Sequence, residues 1–165
     1  MMQLNKMMMI MLFSSLYAFS QGESSKLSLS VQATVVPLIE IITLADIDVG
    51  IIAPGDGILK VDPRFDQGAG IMKVEGNENS IVHVSYSPLI EMVNAQSNTT
   101  LVVRYALSGG GENNQSASDL FVTNPANVML SNSGEYYIWI GCEFSLFSLV
   151  PGQYDGDFVL EVDYD

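Results

Sequence analysis

The sequence predicts an all-β chain folded as one antiparallel two-sheet sandwich, preceded by a cleavable export signal. Three observations predict it. Apolar and polar residues alternate with period two through most of the chain after residue 20. Turn-forming Pro, Gly and Asp residues punctuate the alternating runs. No stretch after residue 20 carries the three-to-four-residue spacing of a helix, so the strands have no crossover helices and must pair antiparallel.

Residues 1–20 read MMQLNKMMMIMLFSSLYAFS. Lys6 is a basic flank, residues 7–19 form an apolar run, and Ala18 and Ser20 place small residues at −3 and −1 before Gln21. Those are the three parts of a secretory signal. The run is shorter than the roughly 20 residues needed to span a bilayer, so no transmembrane anchor is expected after cleavage. The expected mature chain, 21–165, has five bases against nineteen acids, a formal charge of −14. A surface so poor in Lys and Arg excludes nucleic acid and anionic membrane as partners. Cys142 is the only cysteine, so no intramolecular disulfide forms, and its apolar phase predicts a buried, inert thiol.

The strands follow in order. Residues 26–35, KLSLSVQATV, put Leu27, Leu29, Val31, Ala33 and Val35 on one face and Ser28, Ser30, Gln32 and Thr34 on the other. After Pro37, LIEIITL is extended, and ADIDVG sets Ile47 and Val49 against Asp46 and Asp48. Pro54-Gly55-Asp56-Gly57 is a turn. Residues 58–62 and 70–75 are short strands around the turn-rich PRFDQGAG. In 81–87, Val82, Val84 and Tyr86 oppose Ile81, His83 and Ser85; in 99–107, Leu101, Val103 and Tyr105 oppose Thr100, Val102, Arg104 and Ala106. SGGGENNQSAS, 108–118, reads as a flexible polar loop. Residues 127–130 form a brief strand and 135–142 a long one. Pro151-Gly152 turns the chain into 157–165, with Phe158, Leu160, Val162 and Tyr164 on the core face. No linker or repeat divides 21–165, although 21–35 could be an N-terminal extension or a donated strand.

No residue pattern announces a reaction. His83 is the only histidine and no G-x-S-x-G is present, so a nucleophilic triad has no base at a fitting place. One His and one Cys cannot hold zinc. Asp46, Asp48, Asp155 and Asp157 could supply oxygen ligands to calcium, but neither pair sits in a calcium-loop motif, and turn or outward strand positions are the favoured explanation. No catalytic residue, cofactor or metal is therefore assigned. Tyr137 and Trp139 alternate with Tyr136, Ile138 and Ile140 and are expected together on the outer face. There they would stack on a sugar, anchor a protein partner, or lie under a loop; the sequence does not choose. Asn98-Thr99-Thr100 and Asn114-Gln115-Ser116 match the glycosylation sequon.

The C-terminal third, SGEYYIWIGCEFSLFSLVPGQYDGDFVLEVDYD, resembles the end of a bacterial exported domain family of unknown function, whose members are similar to spore coat protein U and to subunits of archaic chaperone–usher pili. The resemblance is carried by a strand reaching what in the family is a Gly-Gly pair, a P-G-x-Y-x-G-x-F turn and an alternating strand closing on Tyr. Here those positions are Gly141, Pro151, Gly152, Tyr154, Gly156, Phe158 and Tyr164. ADIDVGIIAPGDG resembles the family's L-x-F-G-x-I segment, with Val49 in place of the aromatic, and AGIMKVEGNENSIVHVSYS its middle hairpin. Cys142 replaces the second small residue, and the N-terminal cysteine pair of coat-U-like pilins is missing. The resemblance implies an immunoglobulin-like sandwich in the periplasm, at the cell surface or outside the cell. It also implies a non-enzymatic surface or pilus-like subunit that takes an alternating strand from a like subunit. A secreted module binding glycans through exposed aromatics is the alternative.

Overall fold

The computed structural model describes residues 38–50, 55 and 57–164. The signal at 1–20 and the stripe Leu27, Leu29, Val31, Ala33 and Val35 lie outside the described residues, as do 51–54 and 56 of the turn region. Among the described residues ten strands occur in chain order: β1 (Glu40–Ala45), β2 (Ile58–Val61), β3 (Gly70–Glu75), β4 (Ile81–Tyr86), β5 (Leu89–Asn94), β6 (Thr99–Gly110), β7 (Asp119–Leu120), β8 (Ala126–Met129), β9 (Glu135–Ser145) and β10 (Leu160–Tyr164). The described helical structure is a single 3₁₀ turn, Gln115–Ala117.

Every strand pair is antiparallel. The larger sheet runs β1-β3-β9-β6-β5, with β2 continuing along β9 beyond β3 and β7 against the end of β6. The smaller sheet is β10-β4-β8. β9 is central because its EYYIWIGCEFS run is apolar on both faces, the pattern of a strand covered from both sides.

The inner faces of β3, β6 and β9 meet those of β4, β8 and β10. Val74, Leu107, Tyr136, Ile138 and Ile140 from one side pack with Val82, Val84, Val128 and Leu130 from the other. Phe158, Leu160, Val162 and Tyr164 pack against this core, on the face their alternation predicts. Each fully buried Val, Leu or Ile contributes about 1.5–3 kcal/mol relative to exposure. The two-sheet antiparallel sandwich is thus the one the alternation predicts.

A second cluster, Val61, Ala69, Val103, Cys142 and Phe144, includes nothing from the smaller sheet. The larger sheet is longer than the smaller one, and this part of its inner face is covered by connecting segments instead.

Three local expectations change. Residues 89–94 form β5, which the alternation did not announce, because Leu89, Glu91 and Val93 against Ile90 and Met92 leave apolar residues on both faces. Residues 46–50 form no strand, although Asp48 N donates to Gly68 O (2.9 Å); Ile47 and Val49 are half-buried and Asp46 and Asp48 exposed, as expected. The loop expected at 108–118 is largely fixed. Ser108 to Gly110 extend β6, Ser108 and Ser118 are buried, and the Gln115 side-chain amide donates to the carbonyls of Pro63 (3.0 Å) and Asp66 (2.8 Å).

Candidate functional site

Tyr137 and Trp139 do share the outer face of β9, with ring centroids 6.2 Å apart and planes at 28°. They are not an open aromatic pair: Trp139 is 1% exposed and Tyr137 is half-buried. The cover is built at their neighbours. Ser108 stands opposite Trp139 across β6–β9, and its hydroxyl donates to Pro63 O at 3.3 Å. At Gly141 a Cβ would stand 2.3 Å from Val61 O and 2.6 Å from Pro63 Cδ, so the missing side chain lets the β2–β3 connection cross the strand. The expected outward phase was right, and the exposure is corrected by this loop. Tyr137 keeps a polar surrounding: its hydroxyl donates to Glu135 (3.4 Å), and Lys73, opposite it on β3, pairs with Glu75 and Glu135. The hydrogen bond to Glu75 is the main cause that raises the Lys73 pKa.

The remaining motif residues lie along one path. Residues 151–158 run from the end of the larger sheet, along β5, to the smaller one. Gly152 has φ +150°, and a Cβ there would stand 2.2 Å from the buried Asn94 amide nitrogen. The Tyr154 hydroxyl donates to Val150 O (2.9 Å) and lies 3.1 Å from Thr99 Oγ1. Asp155 exchanges both backbone bonds with Val93, N to O at 2.9 and 3.1 Å. Gly156 passes Met92 so closely that a Cβ would be 2.9 Å from its Cγ. Phe158 packs on Tyr105 with centroids 4.7 Å apart. Tyr164 accepts from Asn77 N (2.8 Å) and donates to Leu38 O (3.2 Å), joining the end of β10 to the residues before β1.

Between this path and residues 47–49 lies an apolar cavity of about 420 Å³, partly open to solvent. Its floor is Met92, Leu101, Val103, Tyr105, Cys142 and Phe144 of the larger sheet; its walls are Ile47 and Val49 on one side and Leu149 to Gly152 with Tyr154 on the other. Among the described residues no charged side chain lines it. Burial pushes the Cys142 thiol up, in keeping with an inert thiol, and burial followed by the nearby Cys142 does the same for the Tyr105 phenol. The cavity was not foreseen as a unit. Its lining is scattered over 47–154, and only the inward phase of each strand hinted at it.

The candidate calcium carboxylates do not converge. Asp48 Oδ1 accepts from Gly50 N (2.8 Å) and Asp155 Oδ1 from the Gln153 side chain (2.9 Å), both local turn bonds. Among the described residues no three His, Cys, Asp or Glu side chains come together as a metal site. His83 is half-buried on the outer face of the smaller sheet, its Nδ1 2.6 Å from Asn127 Oδ1. No described helix is long and apolar enough to cross a membrane.

No protein-family model matches the chain, and no curated protein matches it. Among solved structures, it is similar to a chain in the crystal structure of the CsuC–CsuE chaperone–tip adhesion subunit pre-assembly complex from archaic chaperone-usher Csu pili of Acinetobacter baumannii. The likeness has 14% identity and a TM-score of 0.37, over 79% of this chain and 40% of that one. The chain therefore spans less than half the length of that neighbour.

Proposed function

We propose that this protein is an exported, non-enzymatic structural subunit that assembles with like subunits by strand addition. One observation carries the reading: the apolar cavity sits on the part of the larger sheet that the smaller sheet leaves uncovered. An alternating segment laid there would bury its apolar face against Met92, Val103 and Phe144. The chain owns such a segment in 26–35. Its four large apolar side chains, Leu27, Leu29, Val31 and Val35, are worth about 6–12 kcal/mol as an upper bound if fully buried. That is comparable with the whole stability of a domain, about 5–15 kcal/mol, so the stripe needs a site. In the proposal the site is the cavity of a neighbouring copy.

Deleting 24–35 from the mature chain tests it. Gel electrophoresis in detergent without heating, beside size-exclusion chromatography, should show resistant multimers for the parent. The deletion should give a soluble, more heat-labile monomer. A parent that is already a stable monomer with 26–35 folded into its own sandwich overturns the reading.

A further inference from the structure

One wall of the apolar cavity is thin. Leu149 and Tyr154 line the cavity on one side and, with Phe147 and Ser148, a hollow of about 230 Å³ on the other. The chain between the two spaces is therefore a single side-chain layer. Leu101 of β6 borders both, so without this wall they would form one groove over the end of β6.

The wall is also weakly held. It is anchored before its start, where Leu146 N donates to Gly57 O (2.9 Å), and after its end, where Asp155 pairs with Val93. Between those anchors Phe147 N donates to Ser145 Oγ (3.2 Å) and Leu149 N to Leu146 O (3.3 Å), both local bonds. Among the described residues the tie to a distant strand is Tyr154, whose hydroxyl donates to Val150 O (2.9 Å) and meets Thr99 Oγ1 (3.1 Å), bridging the wall to β6. Two unusual backbone positions bracket Leu149 to Pro151: Ser148 at φ +58°, a left-handed conformation that strains a non-glycine residue, and Gly152 at φ +150°. The wall covers Asn94 without satisfying it. That side chain is 1% exposed, its Oδ1 accepts from Gln96 N and Ser97 N, and its Nδ2, against Gly152, has no hydrogen-bond partner among the described residues. Lifting Gly152 would give that donor to water and relieve Ser148.

We propose that residues 148–152 form a lid on the cavity, hinged at Ser148 and Gly152 and latched by Tyr154, which opens while the two sheets stay folded. Open, it joins the cavity to the neighbouring hollow and bares Cys142, which lies on the cavity floor and is 5% exposed with the lid shut. As a gate for strand addition the lid rests on the function proposed above; as a moving part it does not.

Cys142 is the only cysteine, so its alkylation by N-ethylmaleimide reads the opening. Residues 21–165 are labelled at submicromolar concentration, where copies meet slowly, in a series of urea concentrations below the unfolding transition. The wild-type rate should hardly change across the series, because a lifting lid exposes little surface. Tyr154→Phe should raise the rate about five-fold, the factor that corresponds to the net worth of one hydrogen bond. Thr99→Val should raise it by no more, and adding it to Tyr154→Phe should change nothing further, since both act on one latch. Either variant suffices if circular dichroism shows the other misfolded. Val128→Ala, in the core between the sheets and away from the cavity, should lower the urea midpoint yet leave the rate alone. A rate that climbs with urea in step with global unfolding overturns the proposal. So does acceleration by Val128→Ala that matches its loss of stability, or a rate that a folded Tyr154→Phe chain leaves unchanged. Detergent-resistant multimers report separately: their absence beside an opening lid counts against strand addition and leaves the lid standing.

Discussion

Trp139 illustrates how far a side chain's phase can differ from its environment. It points away from the inter-sheet core, yet is almost fully buried. Trp139→Ala should therefore cost about 3–5 kcal/mol in urea unfolding, the range for removing a buried Trp. Tyr137→Ala, at a half-buried position, should cost clearly less. Gly141 is the partner of this burial, because any side chain there meets the Val61 carbonyl. Gly141→Ala should cost about 1–3 kcal/mol from overpacking. Tyr136 carries a pH signature. Burial, and secondarily the Asp119 carboxylate, push its phenol up from the ordinary 10.0 to about 12. The folded state thus favours the neutral phenol. Its contribution to stability is complete below pH 10 and is lost as pH rises toward 12. Tyr136→Phe should flatten the fall in stability across that window, as read by denaturant titration at successive pH values.

Among the elements, the 151–158 segment and β10 turn two sheets into one folded unit. The segment adds to the edge of β5 through the Val93–Asp155 pair, then delivers Phe158 and β10 to the smaller sheet. Its motif residues have physical tasks in that path. Gly152 turns against Asn94, Tyr154 ties the loop to Thr99, and Gly156 clears Met92. Tyr154→Phe should lose about 1 kcal/mol, the usual net worth of a hydrogen bond. Gly156→Val should do more, lifting the segment off β5 and speeding amide hydrogen exchange at Val93 and Asp155 while β4 and β9 stay protected. Uniform acceleration throughout the sandwich would show instead that the segment has no separate stability. β5 itself was illegible in LIEMVN because an edge strand with apolar residues on both faces shows no alternation. The 108–118 loop misled for the opposite reason: its polar residues look solvated, but they bond inward to Pro63, Asp66 and each other.

For the whole molecule the acidity dominates. A chain with formal charge −13 repels itself, within one sandwich and between copies. Added NaCl should raise the melting temperature of the isolated chain by screening that repulsion. Under the proposed function the same salt should tighten strand addition, which would join apolar surfaces of acidic copies. Calorimetry and sedimentation on one salt series would read the two effects separately. The cavity belongs to this scale too, since no single element defines it.

Sequence by itself determined what depends on near neighbours along the chain. Period-two alternation assigned the inward faces of β4, β6 and β10, because a strand's side chains alternate whatever it packs against. The bare positions Gly141, Gly152 and Gly156 were visible as letters, but their reasons were not. Only the tertiary structure decided which face is wet, which strands share a sheet, and where the core is left uncovered. Those outcomes depend on the relative lengths of two sheets and on loops crossing from distant parts of the chain. Trp139 is buried because Pro63 crosses β9 at Gly141, and the cavity exists because β4, β8 and β10 are shorter than the sheet they cover.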